Sequence, residues 1–340
     1  MAAAFESINA GELRRHIDVL ADDTMEGRNV GSRGGQAAGG YIVTQLERLK
    51  MRGGAADQKF YQPLPTGGRN ILALLPGSDP QLAREVIVVG AHYDHVGYGS
   101  SRTSYGPYGY IHNGADDNAS GTAGLLELAE ACTMLPTAPA RTILFTWWDG
   151  EEHGLLGSKH WLSQPTLARS SVVFMVNLDM IGRAQGGKVQ VLGTRTAPGL
   201  RELVSRRNDG GLTIDFAWEL EGNSDHWPFV KADVPILMFH TGLHADYHRP
   251  SDDAERINAD DARQVTRLVL ATLLEAAGVP HLPKFRRSGL AEASEATRAR
   301  FEQPLAPPPG RLGVVLAQKP TIGARADASA DTGVALSEIV

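Results

Sequence analysis

Five short polar stretches interrupt otherwise apolar segments of this sequence, and each offers residues that can bind a cation or move a proton. The first is Ala91-His92-Tyr93-Asp94. Residues two apart on an extended chain point the same way, so Asp94 can engage one imidazole nitrogen of His92 and leave the other for a metal. That pairing fixes the tautomer of a ligand. The second, Asn113-Gly114-Ala115-Asp116-Asp117-Asn118-Ala119-Ser120-Gly121, precedes a helical pattern. A single Asp, Asn or Ser suffices to cap a helix. Two adjacent acids and an Asn exceed that need, and a carboxylate here could bridge two cations, one on each oxygen. In the third, Trp147-Trp148-Asp149-Gly150-Glu151-Glu152-His153-Gly154, two consecutive glutamates can divide the labour. One binds metal while the other receives a proton from water. The fourth, Asn177-Leu178-Asp179-Met180-Ile181-Gly182, puts Asp179 in an apolar strand, where Asp is depleted. A buried carboxylate is costly unless it is paired or bound to metal. The fifth runs from Ser224-Asp225-His226 to the stretch 244–253, where His244 and His248 compete as ligands and His226 is an outside candidate. The other histidines (His16, His95, His112, His153, His160, His240, His281) read as loop, surface or satisfied core residues.

Mixed imidazole and carboxylate ligation without cysteine suits Zn2+, with Mn2+ or Co2+ as substitutes. Five protein ligands, one of them bridging, exceed what a single tetrahedral zinc that keeps a water can use. They suit two metals roughly 3.5 to 4 Å apart. Apolar runs that position these residues are expected as strands at 71–75, 86–90, 142–148, 172–181, 189–192 and 236–239. Helical spacing appears at 8–22, 34–50, 121–135, 198–207 and 260–277. Strands alternating with helices predict an α/β fold with a mixed, largely parallel central sheet sandwiched between helices. Ligands bind outside the carboxyl ends of such strands, and the polar motifs follow the strands as that rule requires.

In this order, the motifs resemble those of the co-catalytic zinc aminopeptidases, peptidase family M28 of the MH clan, which are related to glutamate carboxypeptidases. The resemblance runs from about residue 8 to residue 277 and rests on the stretches 90–94, 114–121, 151–158, 177–182 and 247–252. It implies two Zn2+ per chain with Asp117 as the bridge, His92 and Asp179 completing one site, and Glu152 and His248 the other. Asp94 would orient His92, Glu151 would be the general base, and the Tyr247 hydroxyl would assist at the oxyanion. It also implies a cis peptide bond after Asp117. The implied activity is that of an aminopeptidase acting on a peptide or small amide. A carboxypeptidase, a glutaminyl cyclase and a non-catalytic binding module are alternatives on the same fold; retention of all five ligand positions and Glu151 speaks against the last. The family often carries an inserted protease-associated domain, for which residues 50–86 are too short. The Gly-, Tyr- and Ser-rich stretch 96–112 is a departure, and reads equally as a specificity element or a flexible loop.

The composition bounds the rest. Hydrophobic residues make up 42% of the 340 and charged residues 21%, enough to bury a core. The net charge of −6 argues against nucleic acid or an anionic membrane as partner. The one cysteine, Cys132, excludes an intrachain disulfide and reads as a small buried hydrophobe. No apolar run reaches the roughly 18 to 20 residues of a membrane span. No basic region followed by an apolar core opens the sequence. By family analogy an exported protein whose signal has been removed is expected, with a cytoplasmic location as the alternative. The sequence is silent on oligomeric state. The expected organisation is a catalytic domain over 1–280, a linker over 281–310, and a tail over 311–340 resembling the start of a PDZ domain.

Overall fold

The β-branched and aromatic runs pair into one sheet in the computed structural model, which describes residues 1–301 other than Ala293. Among the described residues the strands are β1 (Arg52–Gly53), β2 (Tyr61–Pro63), β3 (Arg69–Leu75), β4 (Val86–His92), β5 (Thr142–Trp148), β6 (Val172–Leu178), β7 (Lys188–Leu192), β8 (Thr213–Phe216) and β9 (Ile236–His240). Their order is β1-β3-β5-β4-β6-β9-β7-β8, with β2 paired to β3. The central strands β5, β4, β6 and β9 are parallel. Antiparallel β3 and β7 flank them. The fold is therefore the expected mixed α/β class.

Helices cover the sheet: α1 (Ala2–Ser7), α2 (Ala10–Leu20), α3 (Arg33–Arg48), α4 (Gly121–Thr133), α5 (Leu156–Ser163), α6 (Leu200–Ser205), α7 (His226–Lys231), α8 (Ala259–Gly278) and α9 (Ser288–Glu292). The alternation of β4 and β5 explains the two-sided cover. Ile87, Val89, Ala91, Ile143, Phe145 and Trp147 enter the larger core with α2, α3, α4 and α8. Val86, Val88, Leu144 and Trp148 enter the other, where Trp148, Trp161 of α5 and Phe229 of α7 lie with ring centroids 6.0 to 6.2 Å apart. The expected helix 8–22 is broken at Asn9, whose Oδ1 accepts the Glu12 amide at 2.9 Å and starts α2 afresh. Cys132 is buried in α4, and burial pushes its thiol up to about 12, which keeps it a packing group.

Two expectations change. Strand β6 ends at Leu178, so Asp179 lies just beyond the strand's carboxyl end. Residues 281–292, expected to begin a linker, pack on the domain instead. The Arg286 amide donates to the Thr196 carbonyl at 2.7 Å, and the guanidinium groups of Arg195 and Arg286 both hold the Glu292 carboxylate. The PDZ-like tail 311–340 lies outside the described residues. No helix among those described is long and apolar enough to cross a membrane.

Candidate metal centre

Parallel register brings the ligand candidates abreast. His92 closes β4 opposite Trp148, the last residue of β5. Gly90 pairs with Asn177 of β6, so the chain two residues further on carries His92 on one strand and Asp179 beyond the other. The segment 115–120 then rises into α4. Gly114, at φ 56, leaves β-like geometry where a side chain could not follow: an added Cβ would stand 2.2 Å from the Asp117 carbonyl oxygen and 2.5 Å from the His95 ring. The peptide bond between Asp117 and Asn118 is cis.

The adjacent acids have different surroundings. Asp116 faces inward, where its Oδ1 accepts the Gly182 amide at 2.7 Å and lies 3.0 Å from the Ser120 hydroxyl. Asn118 binds the same strand end, donating to the Leu178 carbonyl at 3.0 Å and accepting from the Met180 amide at 3.2 Å. Together they stitch the segment 115–120 to the loop carrying Asp179. Asp117 is thereby turned to the opposite side, with its own amide and that of Asp116 donated to the Asp252 carboxylate at 3.0 to 3.2 Å.

Asp117 meets two groups of donors. Its Oδ1 is 3.3 Å from His92 Nε2, which is also 3.4 Å from Asp179 Oδ1. Its Oδ2 is 3.0 Å from His248 Nε2 and 3.8 Å from His95 Nδ1. Glu152 completes the second group, with one oxygen 3.1 Å from His248 Nε2 and the other 2.8 Å from His95 Nδ1. Hence His92, Asp117 and Asp179 form one set, while His95, Asp117, Glu152 and His248 form another. Atoms bound at about 2.0 to 2.1 Å to a tetrahedral zinc stand roughly 3.3 Å apart. The observed separations of 3.0 to 3.4 Å around Asp117 fit that spacing, and the donor chemistry fits Zn2+.

The electrostatics depend on those contacts. Burial alone would raise the carboxyl of Asp117, but the imidazoles of His248, His92 and His95 hold it well below the usual range. Burial lowers His248, while Asp117 and Glu152 outweigh that and raise it to about 11. Glu151 belongs to neither set. Burial pushes its carboxyl well above the usual value, His92 opposes, and Glu152, Asp225 and Asp179 reinforce. Below the site lies fully buried Arg28, whose guanidinium donates to the carbonyls of Tyr93, Leu20, Asn113 and Gly114 at 2.6 to 2.8 Å. Burial lowers it only to about 10, so it remains a cation beneath the carboxylates.

Asp94 meets both His92 and the glutamate pair. Its carboxylate is 3.8 Å from His92 Nδ1, and the nearer partner of that nitrogen is the Asp94 backbone carbonyl at 3.2 Å. The carboxylate is engaged elsewhere, accepting the amides of Glu151 at 3.0 Å and Glu152 at 3.3 Å. Asp94 therefore positions the glutamate pair, and it holds His92 through its main chain. His244, the rival of His248, is drawn away, with its Nε2 3.2 Å from Asp116 Oδ2 and its Nδ1 3.1 Å from Arg183. His226 is buried outside both sets, against the Glu221 carbonyl at 2.8 Å. Tyr247 stacks on His248 with ring centroids 3.9 Å apart. His95, which the sequence groups with loop, surface or satisfied core histidines, stands in the second donor set. It is fully buried, and its position three residues after His92 was the available signal, because the chain turns at the end of β4.

The model of peptidase family M28 matches residues 70–273. Leupeptin-inactivating enzyme 1 of Streptomyces exfoliatus is 28% identical over 253 residues, 73% of this chain and 52% of that protein. Aminopeptidase YwaD of Bacillus subtilis (strain 168) is 32% identical over 225 residues, 62% of this chain and 46% of that protein. The chain thus spans about half the length of these curated relatives. The solved structure of BSAP, a zinc aminopeptidase from Bacillus subtilis, shares the fold with a TM-score of 0.64 at 16% identity, over 83% of this chain and 96% of that one.

Proposed function

The chain belongs to peptidase family M28, and on that premise we propose that it is a zinc-dependent aminopeptidase hydrolysing N-terminal peptide bonds. Two Zn2+ are assigned to the two donor sets that meet at Asp117, with Glu151 as general base. The observation that carries this reading is the division of Asp117: one carboxylate oxygen faces His92 and the other faces His248. Relatives named as aminopeptidases support the reaction class.

His92, Asp117 and Asp179 would hold one zinc, and Asp117, Glu152 and His248 the other, with His95 steadying Glu152. Zinc, when bound, supplies positive charge that polarises an amide carbonyl and acidifies water. Glu151 takes the proton of the attacking water on a carboxylate oxygen and returns it to the leaving amine. Burial raises its affinity for protons, which favours the first of these steps. Asp94 fixes the main chain from which the Glu151 side chain springs. Tyr247 remains a neutral donor for the developing oxyanion, because burial and then Asp117 and Glu152 resist loss of its proton.

The test is hydrolysis of aminoacyl amides by the zinc-loaded protein, the chelated protein and Glu151→Gln, with zinc counted per chain. The expected result is two zincs, activity that disappears on chelation, and a Glu151→Gln variant that binds zinc without cleaving. A wild-type protein that retains no zinc after loading defeats the reading. A single zinc per chain defeats the two-metal assignment.

A further inference from the structure

We propose that Tyr105 is a specificity-determining residue whose ring forms an aromatic wall for a large apolar or aromatic side chain next to the scissile bond. The inference rests on the exopeptidase reading above and adds a substrate class to it.

Tyr105 lies in the stretch 96–112 and is 66% exposed. Exposure alone would mean nothing, since scattered surface tyrosines are ordinary. What sets Tyr105 apart is where it sits and how it is held. Its centroid is 6.2 Å from that of Tyr247 and 6.4 Å from that of His248, tilted 49° and 43° to them. The residue, with the Arg249 guanidinium 5.8 Å over its ring centroid, thus stands exposed one ring away from a proposed zinc ligand.

The main chain around that ring is fastened on both sides. The Tyr105 amide donates to the His248 carbonyl at 3.1 Å, and Ser104 Oγ lies 2.9 Å from the same oxygen. Arg249 reaches back to the carbonyls of Tyr105 and Gly106 at 3.0 and 3.1 Å. The loop's base is closed by Gly109 donating to the Tyr98 carbonyl and His112 to the Gly97 carbonyl, each at 2.8 Å. Buried His112 places Nε2 2.6 Å from Ser104 Oγ. A segment that reads as equally flexible or functional is therefore tied to the ligand-bearing loop at residues 104–106. With its main chain held this way, only the ring's own rotations remain to be fixed on meeting a substrate. Its apolar face matches an aliphatic or aromatic side chain, and contacts between paired rings favour the aromatic one by roughly 2- to 10-fold in affinity.

The experiment compares kcat/KM on dipeptide amides with Phe, Leu or Ala on each side of the scissile bond, for zinc-loaded wild type, Tyr105→Ala and Tyr105→Phe. Zinc content and Tm verify that each variant is folded and loaded. Tyr105→Ala is expected to lose roughly 2- to 10-fold on the Phe or Leu substrates relative to Ala, chiefly through KM. Tyr105→Phe is expected to keep the wild-type preference. A Tyr105→Ala variant that falls by one common factor on all substrates overturns the proposal, because the ring then only supports His248. An unchanged preference overturns it as well. Wild type inert on every substrate overturns both this inference and the exopeptidase reading, whereas an active enzyme with unaltered preference overturns this inference alone.

Discussion

Between α2 and α4, Glu12, Glu127 and Glu130 place one oxygen each within 4.8 Å of one another, much as the carboxylates around Asp117 do. The two clusters solve the same electrostatic problem in opposite ways. Glu127 is buried; its Oε2 accepts the Asn9 amide at 3.3 Å, and its Oε1 lies 3.6 Å from His16 Nε2. Burial, then Glu12, pushes the Glu127 carboxyl up to about 8, and burial pulls the His16 imidazole down to about 4. Near neutral pH Glu127 and His16 both shed their charge, pairing a protonated carboxyl with a neutral imidazole. Around Asp117 burial is just as complete, yet three imidazoles and a buried guanidinium keep the carboxylate ionised. Acidity in a cluster does not make a metal site. The imidazoles that face each oxygen do.

The contrast can be broken at several points. Replacing Asp117 by Asn turns one of the two oxygens that join the sets into an amide nitrogen; zinc retained after dialysis should fall and amide hydrolysis should drop to the level of chelated enzyme. Retention of both zincs would show that the sets are held together by something other than Asp117. Glu151→Gln leaves the ligands intact, so zinc content should hold while kcat falls roughly 10²- to 10⁴-fold. For Asp94→Asn, which turns an acceptor of two amides into a poorer one, kcat should decline by about 10-fold with zinc content nearly unchanged. An unaltered kcat would mean that the Glu151 main chain needs no such anchor.

The weakest effect on catalysis belongs to the other cluster, where Glu127→Gln should leave activity and zinc alone and alter only the response to pH. The folded carboxyl titrates at about 8, above its ordinary value of 4.5. Between those values the folded state binds more protons than the unfolded one, so this group makes stability fall as pH rises. Relative to wild type, Glu127→Gln should gain roughly 2 to 4 kcal/mol on going from pH 5 to pH 9, read from denaturant unfolding at the two pH values. A parallel pair of stability curves would show that Glu127 ionises freely in the fold.

Much of this was legible in the residues. The continuous apolar runs of β4 and β5 could only be buried strands, and the polar stretches after them had to stand at the sheet's carboxyl edge. Strands β1, β2 and β8 were not legible, because their residues take strand form only through pairing with β3 or β7. Helices α5 and α7 were missed for a similar reason: at 8 and 6 residues, each is too short to show a period, and packing on Trp148 holds them. That Asp94 also accepts the Glu151 and Glu152 amides was not legible, because spacing on a strand says which way a side chain points, and not which donors reach it. His95 escaped because a turn after β4 cannot be read from alternation.

Arg28 carries a practical consequence for anyone cutting this chain. The family match begins at residue 70, yet the floor beneath Tyr93, Asn113 and Gly114 is a side chain contributed by residue 28 and fastened at its far end to Leu20 of α2. A fragment trimmed to the matched boundaries would keep all the proposed zinc ligands and lose the cation that faces their carboxylates and braces the main chain beneath them. An expression boundary should therefore be drawn before α2, whatever the limits of sequence similarity.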